Sequence, residues 1–187
     1  MPNIKIMDRL SKGETLLLDG GTGSELQRRG ADVLKGATST STWKAGWLKA
    51  WSATANIEFS EVVRQVHKDY LRVGADIIIS NNFFTIPSRM NSIGLGDRWK
   101  EYATAAGENA VSARDEENPE AYVAGGIAAP TLQSLKNIPV PDVEHMGEKA
   151  FQKEYYDHAK LLADIGVDLI LAEYLGCLLY TSDAADE

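Results

Sequence analysis

Four short apolar runs punctuate the chain at Leu16–Leu18, Ile77–Ile79, Ala121–Ala124 and Leu169–Leu171. None alternates with polar residues, so each predicts a strand buried on both faces, as in parallel sheets covered by helices. Between them lie amphipathic segments that predict helices near Gly23–Arg29, Ser60–Val73, Arg98–Arg114 and Gly147–Ile165. Strands alternating with helices imply a parallel α/β protein, either an open sheet or a (β/α)8 barrel.

One pattern occurs twice. Glu61 to Gly74 is followed by Ala75-Asp-Ile-Ile-Ile-Ser80, and Tyr155 to Gly166 is followed by Val167-Asp-Leu-Ile-Leu-Ala-Glu173. Each copy is a helix, a glycine, one small apolar residue, an aspartate and an apolar run. In the first copy Val62, Val63, Val66, Tyr70 and Val73 keep helical spacing, and Ser60 is the expected N-cap. Gly74 and Gly166 stand where a left-handed helix terminus is expected. The connection from Ala31 to Phe59 is long, and Trp43, Trp47 and Trp51 recur in it every four residues. A short helix packing an aromatic stripe on the body is the expectation, although a loop of this length can also form a lid.

The first strand ends in Leu16-Leu-Leu-Asp-Gly-Gly-Thr-Gly-Ser-Glu-Leu-Gln-Arg-Arg-Gly30, a strand, a tight turn and a helix with a carboxylate at the strand's end. That end is where parallel α/β proteins hold ligands. The glycines suggest a phosphate cradle, but Leu26 stands where the dinucleotide fingerprint needs its third glycine, and no Gly-Lys-Ser/Thr follows. Ligand contact through Asp19-Gly20 and a purely conformational role for the glycines both stay open.

Composition narrows the classes. The 187 residues carry a net charge of −8, which argues against a nucleic-acid partner. The N-terminal residues lack the apolar core of a signal peptide and no apolar run reaches membrane-spanning length, so no membrane partner is expected and the cytoplasm is the expected location. The single cysteine, Cys177, excludes a multi-cysteine metal site within the chain. It belongs to Cys177-Leu-Leu-Tyr-Thr-Ser-Asp-Ala-Ala-Asp-Glu187, which reads like a translated sequencing adapter. Residues 177–187 are therefore expected to be a non-native tail on a domain spanning 1–176.

With these segments in view, the chain resembles the homocysteine S-methyltransferase family. The motifs that carry the resemblance are the Leu16–Leu26 turn, Trp51-Ser-Ala53 and Val63-Arg-Gln-Val-His-Lys-Asp-Tyr70. They continue with Gly74-Ala-Asp-Ile-Ile-Ile-Ser-Asn-Asn-Phe-Phe84, Val123-Ala-Gly-Gly126 and Leu171-Ala-Glu-Tyr174, in family order over nearly all of residues 10–176. The resemblance implies a (β/α)8 TIM barrel truncated to about its first four β/α units. It also implies methyl transfer to the thiol of homocysteine, giving methionine. Family members bind zinc through three cysteines, and all three positions fall beyond Gly176. No metal ligand and no catalytic residue is therefore expected in this chain, and an isolated fragment is expected to be inactive.

A free thiol with a pKa of about 8.5 is mostly protonated at neutral pH, and zinc coordination would generate the thiolate in the complete protein. What this half can supply is substrate positioning. By resemblance Glu173 matches the acceptor for the homocysteine amino group, Asp19-Gly20 the turn beside it, and Ser80, Asn81 and Phe83 the surroundings of the carboxylate and side chain. Phe83 and Phe84 read equally as core. His67 and His158 lie on helix faces, where a solvated or packing role is expected.

Two alternatives remain open: a different barrel enzyme using Asp19 and Glu173 as an acid/base pair, or a non-catalytic half-barrel binding module. The expected partners are homocysteine and a small methyl donor that the sequence does not specify. Open strand edges additionally predict self-association.

Overall fold

The computed structural model describes residues 2–33, 50–91, 93–128, 131–133, 139–141 and 147–173. The stretch containing Trp43 and Trp47 and the tail at 177–187 lie outside the described residues.

The central sheet is parallel and ordered β1 (Ile77–Ser80), β2 (Tyr122–Ala128) and β5 (Leu169–Glu173). Ile77 pairs with Tyr122 and Ala124 with Leu169, so neighbours in the sheet are also successive βα units. The expected first strand contributes one parallel bridge, Leu18 to Ile77. Its backbone is nevertheless in register: Asp19 donates its N–H to the Ile77 carbonyl at 3.0 Å, and Ile77 donates to that of Leu17 at 3.1 Å. A separate antiparallel pair joins β3 (Thr131–Gln133) to β4 (Pro139–Pro141).

All four expected helices form. They are α2 (Thr22–Arg28), α4 (Ser60–Arg72), α6 (Trp99–Glu117) and α7 (Glu148–Ile165). Three short ones join them: α1 (Ile6–Ser11), α3 (Ala55–Glu58) and α5 (Pro87–Asn91). Helix α4 buries Val63, Val66, His67 and Leu71, a stripe at helical spacing. Helix α6 presents Ala103, Ala106, Gly107, Ala110 and Ala113, small residues that let neighbours approach closely; a Cβ on Gly107 would lie 3.1 Å from Ile165. Gly166 closes α7 in the left-handed conformation at φ 99°. Ser60 is not the N-cap of α4: Phe59 takes that place, and the Ser60 hydroxyl donates to Oδ1 of Asn109 instead.

The strands divide their side chains as the pleat requires. Ile78 and Val123 enter the cluster under the helices with Leu71, Ala75 and Ala110. Ile77, Tyr122 and Ala124 cover the opposite face with Ile6, Leu16, Ile79, Leu169 and Leu171. Burial on both faces holds for β2 throughout. It fails at the sheet's two margins, where Leu17 is 58% exposed, Leu18 51% and Ile170 41%. Each of those segments has a strand neighbour on one side only among the described residues.

Strand β2 runs further than its apolar residues predict, through Gly125 and Gly126. A Cβ on Gly125 would stand 2.9 Å from Leu162, and one on Gly126 3.0 Å from Ile79 and 3.3 Å from Oε2 of Glu173. The glycines are there because both faces press against the backbone.

The repeated aspartates share one job. Asp76 accepts the Leu17 N–H at 2.9 Å, and Asp168 accepts the Val123 N–H at 2.8 Å. Each carboxylate reaches from the start of its own strand to the preceding one and pins the register. Each also pairs with an arginine: Arg9 with Asp76 at 3.0 Å, and buried Arg114 with Asp168 at 2.8 Å.

Candidate functional site

The carboxyl ends of these strands open on a cavity of about 300 Å³. Its walls are Gly20, Gly21, Thr22 and Gly23 from the first turn, Trp51 and Ser52, Ile79 to Asn81 with Phe83 and Phe84, and Glu173. Five of the six residues expected from the sequence line it directly: Gly20, Ser80, Asn81, Phe83 and Glu173.

Asp19, the sixth, stands immediately beneath. Its Oδ2 accepts the Ile79 N–H at 3.0 Å, while its buried Oδ1 has no hydrogen-bond partner among the described residues. Burial pushes its carboxyl up to about 7 against the opposing pull of the Ile79 hydrogen bond, and the Glu173 charge adds to the rise. Burial also raises Glu173, whose carboxylate lies over the bare backbone of Gly126. Two reluctant anions thus meet at one end of the cavity. A cationic group placed there would relieve both.

The polar residues of β1 are less available than their position suggests. Asn81 is held on every side: Ser52 donates its hydroxyl to Oδ1 at 2.7 Å, and Nδ2 donates to the Ser52 carbonyl at 3.0 Å and to Oδ1 of Asn56 at 2.8 Å. The Ser80 hydroxyl donates to Oδ1 of Asn82 at 2.6 Å, which leaves it as an acceptor toward the cavity. Phe83 meets Phe84 edge to face at 4.5 Å, and the Arg89 guanidinium lies 4.6 Å from the Phe84 ring centre. Phe84 belongs to a core cluster with Met90 and Tyr102, while Phe83 is half-buried at its margin.

Spacing alone gave no site role to Trp51, Tyr70 or Ser52, of which Trp51 and Ser52 line the cavity. Trp51 read as part of an aromatic stripe, yet its indole lies where a Gly23 side chain would be. Tyr70 kept core spacing in α4, yet its hydroxyl stands behind Gly20, 2.9 Å from where a Cβ there would be. Ser52 holds Asn81. His67 and His158 are fully buried in the helix layer, and burial drives both down to about 4. Packing is their role. Among the described residues no three His, Cys, Asp or Glu side chains converge to hold a metal ion. No described helix is long and apolar enough to cross a membrane.

A parallel sheet layered with helices, with carboxylates gathered at the strand ends, defines a parallel α/β protein, a class in which ligands are held at the carboxyl edge of the sheet. The sequence profile described as homocysteine S-methyltransferase matches residues 16–185, and the chain belongs to that family. It is 30% identical over 173 residues to the homocysteine S-methyltransferase of Escherichia coli K12, covering 89% of this chain and 52% of that protein. It is also 30% identical over 175 residues to an S-methylmethionine–homocysteine S-methyltransferase of Rattus norvegicus, covering 92% of this chain and 40% of that one. The structure is similar to that of the E. coli homocysteine methyltransferase MmuM in a form described as metallated, with a TM-score of 0.65 at 27% identity over 89% of this chain and 56% of that one. The chain therefore spans about half the length of these relatives.

Proposed function

We propose that this chain forms the homocysteine-holding wall of a methyltransferase that passes a methyl group to the homocysteine thiol and yields methionine. The observation that carries the reading is that Glu173, at the end of β5, lines the cavity with Asp19 close beneath it, both carboxyls raised by burial. The α-ammonium group of an amino acid supplies the cation such a pair lacks. Glu173 accepts its protons over Gly126, Asp19 adds a second charge from beneath, and Ser80 offers an acceptor beside them. Phe83 packs the methylene chain.

The parallel order Leu18–β1–β2–β5 supports reading these strands as the first four of an eight-stranded (β/α)8 barrel. The zinc ligands then belong to the part of the relatives this chain does not span, and when bound, zinc supplies a thiolate at neutral pH. This chain alone positions the amino acid and does not transfer the methyl group. Residues 177–187 are read as a tail outside the 1–176 domain, and the enzyme as cytoplasmic. Selection of the methyl donor lies outside this half.

Titration calorimetry of the 187-residue chain with L-homocysteine tests the reading. Binding that weakens at least tenfold in both Asp19→Asn and Glu173→Gln is expected, each variant removing one charge–charge contact. Affinity equal to the parent's in both variants would overturn it.

A further inference from the structure

We infer that Asn81 serves the cavity by holding Trp51, not by touching the ligand. Trp51 is the one non-glycine among the described residues with positive φ, at 38°, a conformation a bulky side chain adopts only under constraint. That backbone turns the indole onto Gly23, where it forms one wall of the cavity. Something must hold it there.

The neighbouring residue, Ser52, is gripped twice by Asn81, the residue just past the end of β1. Ser52 gives its hydroxyl proton to Asn81 Oδ1 and takes an amide proton from Asn81 Nδ2 at its own carbonyl. The clamp is itself braced. The second Nδ2 proton goes to Asn56 Oδ1, Asn56 Nδ2 returns to the Asn81 carbonyl at 3.0 Å, and Asn109 Nδ2 donates to the Asn56 carbonyl at 3.0 Å. Ser60 completes the line by donating to Asn109 Oδ1 at 2.9 Å. Asn56 is fully buried, and Asn109 and Ser52 nearly so. Buried amides are costly unless every partner is present, so the network has one arrangement, and it fixes Ser52 against the sheet. Without it, Trp51 relaxes to negative φ and its indole leaves Gly23. Asn81 is a positioning residue whose effect passes through the indole, and Asn109 on α6 anchors it from outside the cavity.

The inference rests on the homocysteine reading for its binding arm alone. In ligand-free protein, the four indole N–H signals of the ¹⁵N-labelled chain are recorded, and Trp51→Phe identifies which is Trp51. Asn81→Ala is expected to move that signal to the position of a solvent-exposed indole. Ser52→Ala, which deletes a single hydroxyl and spares the amide bond to the backbone, moves it part of the way and serves if Asn81→Ala does not fold. In a double-mutant cycle on homocysteine affinity, Asn81→Ala weakens binding roughly tenfold in the parent and less than about twofold in Trp51→Phe. An unmoved Trp51 signal in a folded Asn81 or Ser52 variant overturns the inference, as do additive losses in the cycle. A moved signal in a chain that binds no homocysteine supports the clamp and counts against the proposed function instead.

Discussion

The indole of Trp51 covers Gly23 so closely that a Cβ on Gly23 would stand 1.9 Å from its Nε1. Gly23 sits in the first turn of α2 with an ordinary helical neighbourhood, so its requirement is steric and not conformational. Gly23→Ala is expected to displace Trp51 and weaken homocysteine binding about tenfold, while costing under about 1 kcal/mol of stability, since alanine is the better helix former. Calorimetry and thermal denaturation of the variant check both halves.

Asp19 makes ligand binding depend on pH. Its carboxyl titrates at about 7 in the folded protein, against an ordinary 3.8. Only the ionised form attracts an ammonium group, so homocysteine affinity is expected to fall as pH drops through 7. The sign for stability is opposite. A folded pKa above the unfolded one means the native state holds the proton more tightly, so this contribution is present below about 4 and is lost as pH rises through 7. Asp19→Asn is therefore expected to raise stability at pH 8 by about 1 kcal/mol after allowance for partial solvent screening, with a Tm gain of roughly 2–4 °C that shrinks below pH 7 and vanishes by about pH 4.

His67 works in the other direction. It is fully buried, both ring nitrogens are without a hydrogen-bond partner among the described residues, and burial lowers it from 6.5 to about 4. Its contribution is present above 6.5 and is lost as pH falls toward 4. His67→Leu is expected to gain about 1 kcal/mol over the parent at pH 5.5, beyond any difference at pH 8. Urea denaturation at the two pH values reads the difference.

The two repeated aspartates predict unequal penalties. Arg114 is 2% exposed and faces Asp168, which also holds the Val123 N–H. Arg114→Ala leaves that carboxylate buried and uncompensated and is expected to cost about 3–5 kcal/mol. Arg9 faces Asp76 at a wetter site, and Arg9→Ala should cost less than about 1 kcal/mol. Comparable losses would contradict the structural distinction; denaturant midpoints decide it.

The margins of the sheet carry a further expectation. Leu17, Leu18 and Ile170 are exposed along two edges with no strand beyond them among the described residues, and such parallel edges invite a second copy. Sedimentation of the chain is expected to show dimers or larger species, and a monomer at high concentration would refute this.

Much of the architecture was legible because burial on both faces leaves a continuous apolar run, as at Ile77–Ile79, and because Gly74 and Gly166 mark helix ends whatever surrounds them. Reading stopped where neighbours decide. Gly125 and Gly126 look like a break in a strand until Leu162, Ile79 and Glu173 are seen pressing on them. Ser60 looks like a cap until Asn109, 49 positions later, offers a better acceptor. Ile170 looks buried until the sheet is seen to have no described strand beyond it.

At the site the same division holds. The sequence by itself determined which residues stand at strand ends, since the length of each continuous apolar run and the polar residue that stops it place Asp19, Ser80 and Glu173 there without reference to anything distant. Only the tertiary structure decided what those residues do. It brought Asp19 and Glu173 to one cavity and so raised them both, tied up the Asn81 amide, and set Trp51 on Gly23. Strand ends are local and follow from where each apolar run stops; charge coupling, hydrogen-bond partners and steric occupancy belong to pairs far apart in the chain, and exist only once the chain has folded.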